Sequence, residues 1–525
     1  MSSTNTQSIL ARVPQEVLEH IAFFAATDRF LGPPSGILPL IVLNKAMNTA
    51  LSVTTNPLLY ARIFSYKYDV APALRRMGYD ALTAPAMAEE LRRRSVALKR
   101  FRHRLDSKGE PTSRYISSQL WTAYLMIIES DGKNEQQLRE YGNVSQWLKD
   151  YWFDPIGASG AMKTIHSDNL WPENSESISL ALWLFWFLLK PEEYAHDDAL
   201  FRQATGILKV IALGAHRYPA CYPEWQDFLP QNVTFQPTTV RHFSTNLKVV
   251  APAPASPAIL AYLTLVNKLN ISWEATNHMK LIFPPVSVDM SIRSSWEWEG
   301  DWARILSLSN PKSAVSDRPS GAFTPGSLEG VWEGIFTYTE FTSYAALLSG
   351  APPSILQRSL VAQHRQTLKI QEWHLVEEED EVVPTSRIQP LRPGNPCRGY
   401  IPDELKIHEV GDMLELTELG AKEPLVYRSW ASMHRDGVCG KVLDTFLTGQ
   451  GHSAWGQFSI IGRVRPCDGF ISLSKEYNDG DRGKWLYRAY MVGNANGSLS
   501  GRWRDTLSPA RIQGYEGTWV ASRRR

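Results

Sequence analysis

The sequence predicts a multidomain α+β protein, with helices in its N-terminal and middle regions and an antiparallel β-barrel at its C-terminus. Three observations support this fold class. The chain has 525 residues, too many for one ordinary core, so roughly two to four domains are expected. Apolar residues recur at helical spacing up to about residue 325. Beyond that point the period becomes twofold, in many short segments separated by Gly, Asp and Asn turns, which is typical of a barrel or sandwich.

Amphipathic helices account for the N-terminal and middle regions. In the segment PQEVLEHIAFFAATD, Val17, Leu18 and Ile21 recur at helical spacing, with Pro14 at a tolerated first-turn position. The longest apolar stretch, ISLALWLFWFLL at Ile178–Leu189, has 12 residues, whereas a membrane span needs about 20. We therefore expect a buried helix there and no membrane partner.

The motif Glu-Gly-x-Trp occurs at both ends of the predicted β domain, at 329–332 and 516–519. Side chains alternate faces along a strand, so each glycine shares a face with its tryptophan. A sheet that closes needs glycines where strands bend, and a tryptophan can cover the bare backbone of a neighbouring glycine. The pattern favours a barrel over a sandwich and predicts that the first and last strands meet at its seam.

The most specific signal lies in residues 13–64. The segment VPQEVLEHI (13–21) is followed by a short apolar helix around residues 40–47, and then by NPLLYARIF (56–64). This spacing resembles the F-box motif, in the diverged form common in large fungal F-box families. Three short helices cannot bury their apolar faces on one another, so such a unit needs a partner groove.

The segment departs from the family pattern at four places. Val13 replaces the leading Leu, Met47 the tryptophan of the middle helix, and Tyr60 the late Trp. A long loop, Asp28–Gly36, separates the first two helices. The replacements keep apolar character, and the effect of the loop on adaptor binding stays open.

The resemblance implies a substrate-receptor subunit of a Skp–cullin–F-box ubiquitin ligase. The segment would dock on a Skp-type adaptor and through it on a cullin, while the barrel would hold an unknown protein target. Some F-box proteins have a similar lipocalin-like barrel as their substrate module. Such a receptor does no chemistry and contributes proximity. The residues expected at the adaptor contact are Pro14, Val17, Leu18, Ile21, Leu40, Leu43, Leu59, Ile63 and Phe64.

Three regions are predicted from these patterns. An F-box occupies residues 12–70, and a helical spacer with Pro-rich breaks occupies 71–325, including a polar linker at Ser309–Ser327. The β-barrel substrate-binding domain occupies 326–525.

Target capture by the barrel can be assigned only to candidate residues. Strand arginines suit a carboxylate or an acidic peptide, and aromatic side chains suit apolar walls. The candidates are Arg463, Arg502, Arg504, Trp373, Tyr490 and Trp455.

Two alternatives to the ligase receptor remain: a lipocalin-like protein that binds a small molecule or lipid, and an F-box protein acting outside a ligase. A barrel of about eight strands can hold one ligand. Trp332, Trp455, Trp503 and Trp519 are candidates for its mouth, although the seam interpretation weakens Trp332 and Trp519.

No motif supports an enzyme. The segment GHSAWG at Gly451–Gly456 lacks the second glycine of a nucleophile elbow, and HRDG at His434–Gly437 lacks the Asn of a kinase loop. No phosphate-binding glycine motif or metal-ligand spacing is present. We therefore expect no catalytic residue, no cofactor and no metal.

Charge and cysteine usage indicate an intracellular protein of the cytoplasm or nucleus. The net charge is +1, so nucleic acid is not an expected partner. The basic stretch Leu91–Arg104 is interpreted as a solvated helix face, with a nuclear-import signal as the alternative. The N-terminus does not read as a signal peptide, and four cysteines without CxxC spacing indicate neither zinc nor a disulfide framework.

Overall fold

A computed structural model describes most of the chain, in two compact units. It describes residues 13–109, 115–223, 226–230, 236–269, 294–310, 321–378, 389–437, 440–480, 482–494 and 496–524. Of these described residues, the first unit comprises those that fall within Met1–Tyr151, Thr239–Leu247 and Met290–Ser295, and the second comprises the others. Part of the predicted linker, residues 311–320, lies outside the described residues, as does Cys439. The three predicted region boundaries stay predictions.

The first unit is helical, apart from a β-hairpin. Asn44 and Asn56 accept hydrogen bonds from the backbone at Met47 and Leu59, which caps two of its helices. Its elements are α1 (Gln15–Thr27), α2 (Leu38–Ile41), α3 (Lys45–Leu51), α4 (Pro57–Lys67), α5 (Ala71–Met77), α6 (Ala84–Arg102), α7 (Tyr115–Ile128), α8 (Lys133–Gln136) and most of α9 (Val144–Phe153), with the hairpin β1 (Thr238–His242) and β2 (Thr245–Val249).

A buried charge cluster lies in this unit, on the basic stretch of α6. Arg94 is fully buried, and its guanidinium donates to Glu90 at 2.8 Å and to Glu129 at 2.9 Å. His242 lies 2.6 Å from the other oxygen of Glu129. The predicted solvated helix face therefore does not include Arg94, whereas Arg92 is exposed as predicted.

The long loop at Asp28–Gly36 is held by hydrogen bonds to its backbone. Lys67 Nζ donates to the carbonyl of Phe30 at 3.2 Å. The Gln137 side chain accepts from Gly32 N at 2.8 Å and donates to the Phe30 carbonyl at 2.9 Å. The loop thus has a defined course against α4 and the turn after α8.

Helices and short loops of the second unit precede the predicted strands and are interleaved with them. The remaining helices are α10 (Ala161–His166), α11 (Glu176–Leu188), α12 (Asp198–Leu213), α13 (Ala255–Leu269), α14 (Glu299–Ser307), α15 (Phe341–Leu348), α16 (Ser354–Arg358) and α17 (Trp430–Asp436). The apolar stretch at Ile178–Leu189 forms α11 and is buried, as predicted. None of the described helices has both the length and the apolar character that crossing a bilayer requires.

Eight antiparallel strands of this unit close into a barrel. They are β3 (Gly330–Thr339), β4 (Val361–Glu378), β8 (Gly440–Ser453), β9 (Gly456–Val464), β10 (Ile471–Tyr477), β11 (Lys484–Val492), β12 (Ser498–Asp505) and β13 (Glu516–Arg523). Each strand pairs with the next in this order, and β13 pairs back with β3. The predicted C-terminal barrel is confirmed, and so is the meeting of its first and last strands.

The Gly–Trp pattern describes the seam only in part, because a Cβ on Gly330 would meet no heavy atom within 4 Å, so no ring covers that glycine. Trp332 and Trp519 are completely buried in the barrel core. Trp503 lies directly opposite Gly517 across β12 and β13, and a Cβ on Gly517 would fall 2.5 Å from its indole. The indole therefore covers bare glycine backbone, and its Nε1 donates to the Thr337 carbonyl of β3 at 2.8 Å.

A three-stranded extension continues the sheet from the far end of β4. Its strands are β5 (Lys406–Val410), β6 (Met413–Thr417) and β7 (Leu425–Ser429), and β7 joins β4 at Trp373. This extension encloses a second, smaller core around Trp373 and Phe446.

Candidate functional site

An aromatic cavity lies inside one end of the barrel. It has a volume of about 280 Å³, close to the lower limit of small-molecule sites. It lies where β3, β10 and β12 end and where β9, β11 and β13 begin. All of the residues that line it are aromatic: Phe336, Tyr338, Trp455, Tyr477, Trp485, Tyr487, Trp503 and Tyr515.

Strand alternation explains how these rings come together. Trp485 and Tyr487 are two residues apart on β11, so both side chains point into the barrel. Tyr487 lies opposite Trp503 on β12, and Trp503 packs edge-to-face against Trp485 with ring centroids 5.2 Å apart. Trp455, in the turn between β8 and β9, packs against Phe336 at 5.2 Å. The cavity walls are therefore aromatic rings that are held in place by packing against one another.

A lysine lies one step deeper than the cavity rings. Lys475 precedes Tyr477 by two residues on β10 and is 2% exposed. Its Nζ lies 4.9 Å from the ring centroid of Tyr477, 5.0 Å from that of Tyr487 and 5.2 Å from that of Phe336. It donates to Gln366 Oε1 at 3.1 Å and to the Tyr487 hydroxyl at 3.3 Å. Burial lowers the pKa of Lys475 to about 7.

A histidine lies beside the same rings. The imidazole of His364 stacks on Tyr338 with an interplanar angle of 2° and centroids 5.4 Å apart. It also lies 5.2 Å from Trp455 and 5.4 Å from Phe336. Its Nε2 is buried and has no hydrogen-bond partner among the described residues. A buried polar atom without a protein partner can form a hydrogen bond with a water molecule or with a ligand group.

The phenols of Tyr477, Tyr487 and Tyr515 stay protonated near neutral pH. Burial raises the pKa of Tyr477, of Tyr487 and of Tyr515, the last to about 12. They therefore present hydroxyl groups and no negative charge to the cavity interior.

Comparisons with protein-family models, with curated proteins and with solved structures found no match to this chain.

The cavity contains one of the six predicted target-binding residues. Trp455 is in its wall, and of the tryptophans considered for a barrel mouth Trp503 is there too. Trp373 lies instead in the smaller core, where its Nε1 donates to Thr448 at 2.8 Å. Tyr490 is also buried and donates to Asp468 at 2.6 Å.

The three predicted arginines lie on outward-facing strand positions that other parts of this unit cover. Arg463 is completely buried and pairs with Asp444 at 2.8 Å. Arg504 donates to four backbone carbonyls of the loop at 508–512. Arg502 donates to the carbonyl of Ala212 at 2.6 Å, close to the end of α12, and burial lowers its pKa to about 10. In this structure the guanidinium N–H groups of these three arginines hold loops and the end of a helix against the barrel.

Sequence reasoning did not assign most of the cavity. The sequence does contain a sign of Lys475. Ile471, Leu473, Lys475 and Tyr477 are every second residue of β10 and share one face, and the lysine interrupts this apolar row. No sequence feature identifies His364, because the residues around it do not show which rings of other strands will contact it.

The predicted adaptor residues divide into exposed and buried sets. Pro14, Val17, Ile21 and Leu43 are exposed and Leu40 is partly exposed. The other four are buried, and they are Leu18, Leu59, Ile63 and Phe64.

Phe64 shows what the buried set does. It stacks on Tyr68 with centroids 5.1 Å apart, and the Arg94 guanidinium lies 5.1 Å from its ring centroid. These residues hold the helices together, and the exposed set faces outward.

Proposed function

We propose that this chain is a substrate-receptor subunit of a Skp–cullin–F-box ubiquitin ligase, docking through residues 13–64 on a Skp-type adaptor. The observation that carries the proposal is an apolar face that the helices of this segment leave uncovered. Val17, Ile21 and Phe24, one helical turn apart on α1, are 46%, 43% and 66% exposed. The opposite side of α1, with Leu18 and Ala22, is buried.

The exposed face continues on the next segment. A Cβ on Gly36 would fall 2.0 Å from the Ala25 carbonyl oxygen, so the chain before α2 passes directly against α1. We call the exposed apolar side chains of the two segments, taken together, the N-terminal apolar face: Val17, Ile21, Phe24, Leu38, Val42 and Leu43. A cluster of uncovered apolar side chains on one short helical segment is typical of a protein-binding surface. Its coincidence with the F-box-like spacing supports an adaptor as the partner.

The remainder of the chain fits a receptor role. The ligase's other subunits would supply the chemistry, and the barrel unit would bring the target close to them. Such a receptor would act in the cytoplasm or nucleus.

Replacing Val17 and Ile21 together with aspartate should reduce capture of a recombinant Skp-type adaptor at least tenfold. Two carboxylates would lie in the apolar contact, where unpaired charge is strongly unfavourable. Both side chains are exposed, so the variant should keep the wild-type circular dichroism spectrum. The measurement is a pull-down at fixed adaptor concentration.

The control replaces Val96 and Leu105 with aspartate. These residues are 47% and 46% exposed in the same unit but lie outside the N-terminal apolar face, so adaptor capture should be unchanged. Capture that survives the Val17/Ile21 change, or that falls equally in the control, contradicts adaptor docking on this face.

One observation also favours a second role, the binding of a small ligand by the barrel. The aromatic cavity has ligand-sized volume and lies next to a buried cation, Lys475, and a purely structural barrel core needs neither feature. This role is compatible with adaptor docking, because it uses a different part of the chain.

A further inference from the structure

Lys475, in the interior of the barrel, is a buried cation without a carboxylate partner among the described residues. Several buried cations of the second unit pair with a carboxylate: Arg463 with Asp444, Arg465 with Asp468 and Arg304 with Asp301. Lys475 has neutral oxygen atoms as its hydrogen-bond partners, and among the described residues no carboxylate forms an ion pair with it. A buried ammonium held this way is costly unless something else compensates its charge.

Lys475 is also dispensable for the hydrogen bonding of its neighbours. The Tyr487 hydroxyl lies 3.4 Å from Gln366 Oε1 and donates to it, so both groups keep a partner without the lysine. The ring of Phe458, whose centroid lies 3.9 Å from Nζ, stabilises the ammonium by a cation–π contact, but it brings no negative charge to compensate that of Lys475.

The cavity next to Lys475 determines the shape of what can enter. Its eight lining residues are all aromatic, and such walls favour a flat apolar group that stacks or packs edge-to-face. A volume of about 280 Å³ accepts one or two fused rings. Nζ of Lys475 is not part of the lining, but it lies within 5.2 Å of the ring centroids of three lining residues, so a ligand group that passes between these rings would reach it.

We propose that the cavity binds a small planar aromatic carboxylic acid, with its rings among the aromatic walls, its carboxylate paired with Lys475, and His364 Nε2 as a second polar contact. The inference rests on the ligand-binding role proposed for the barrel and is independent of adaptor docking. The bound acid would supply the anion that Lys475 lacks. Charge-assisted hydrogen bonds of this kind are among the stronger ones in proteins.

The test uses 2-naphthoate as the probe and isothermal titration calorimetry on the full chain at pH 6. We expect 2-naphthoate to bind at least tenfold more tightly than its neutral methyl ester. Lys475→Met should remove this preference and leave ester binding equal or stronger. Lys369→Met, an exposed lysine on the outside of β4, is the matched control and should behave as wild type.

The affinity of the wild-type protein should also depend on pH. Burial lowers the pKa of Lys475 to about 7, and a bound carboxylate would raise it again. Binding of 2-naphthoate should therefore be constant between pH 5.5 and 6.5 and should fall above pH 7, by up to about tenfold per pH unit. Facing Lys475 are the phenols of Tyr477 and Tyr487, which stay neutral in this range, and the amide of Gln366. The fall above pH 7 is assigned to Lys475, so His364→Gln should retain it.

The outcomes separate the two levels of the proposal. If the ester binds as well as 2-naphthoate and Lys475→Met changes neither, the barrel is a ligand site but the carboxylate inference is overturned. If neither compound binds, the ligand-binding role of the barrel is overturned with it. Should Lys475→Met fail to fold, the pH profile of the wild type decides, because a flat profile between pH 6 and 9 contradicts pairing with Lys475.

Discussion

Replacing Arg94 with methionine is expected to lower the free energy of unfolding of the first unit by about 3–5 kcal/mol, the usual cost of breaking a buried ion pair by removing one partner. Arg94 is completely buried and donates to both Glu90 and Glu129. Its guanidinium also lies over the Phe64 and Tyr68 rings. Methionine fills similar volume but leaves two buried carboxylates with less positive charge nearby.

Hydrogen exchange along α6 and α7 is the appropriate measurement, because it reports on this unit separately from the barrel. Arg92→Met is the matched control, since Arg92 lies two residues away on the same helix and is 67% exposed. An exposed pair of this kind is worth less than about 1 kcal/mol. Equal protection factors in the two variants would show that the buried cluster adds little to stability.

The same cluster predicts an acid-sensitive first unit. Burial acts to raise the pKa of Glu90 and of Glu129, but the charge of Arg94 outweighs it at Glu90, and His242 together with Arg94 outweighs it at Glu129, so both pKa values lie below the ordinary 4.5. A depressed carboxyl pKa gives stability that is present above pH 4.5 and is lost as pH falls below it. Protection of α6 and α7 should therefore decrease below pH 4.5. The difference in protection between the wild type and Arg94→Met should become smaller below pH 4.5. A difference that stays constant down to pH 3 would show that the two carboxylates are not its cause.

The strands of the barrel and its closure could be predicted from sequence because both depend on local pattern. Twofold alternation identifies strands wherever one face is buried. The Gly–Trp pairs at 329–332 and 516–519 indicated which strands meet at the seam, although a ring covers only Gly517 and that ring is Trp503.

The roles of the arginines could not be predicted in this way. Arg463, Arg502 and Arg504 alternate with inward residues and so read as surface groups. Their burial depends on loops and helices far away in sequence, such as the end of α12 for Arg502. A strand pattern shows which face a residue is on but not what covers that face.

The same limit applies to the N-terminal segment. Helical spacing identified Val17, Leu18 and Ile21 as apolar positions of one helix, yet Leu18 faces the core and the other two face outward. When a helix is apolar on more than one side, periodicity cannot rank its faces. The exposed set emerges only when the packing of α1 against its neighbours is known.

Replacing Gly517 with alanine is expected to destabilise the barrel unit by about 3 kcal/mol, at the upper end of overpacking costs. The new Cβ would fall 2.2 Å from the Thr337 carbonyl oxygen and 2.5 Å from the Trp503 indole. Neither the carbonyl nor the indole can move easily. The Thr337 carbonyl is part of the β3 backbone, and Trp503 Nε1 donates to that same oxygen. One methyl group would therefore push apart the two strands that close the barrel.

Thermal unfolding of Gly517→Ala against Gly206→Ala isolates this effect. Gly206 lies in α12 of the same unit, and a Cβ there would have no heavy atom within 4 Å. Alanine should stabilise that helix by up to about 1 kcal/mol, so the two glycine-to-alanine changes should shift the melting temperature in opposite directions. Because Trp503 is also a wall of the aromatic cavity, Gly517→Ala should weaken 2-naphthoate binding as well, and Gly206→Ala should not. A Gly517→Ala protein that melts with the wild type would mean that the seam tolerates a side chain, and the repeated Glu-Gly-x-Trp motif would then need an explanation other than barrel closure.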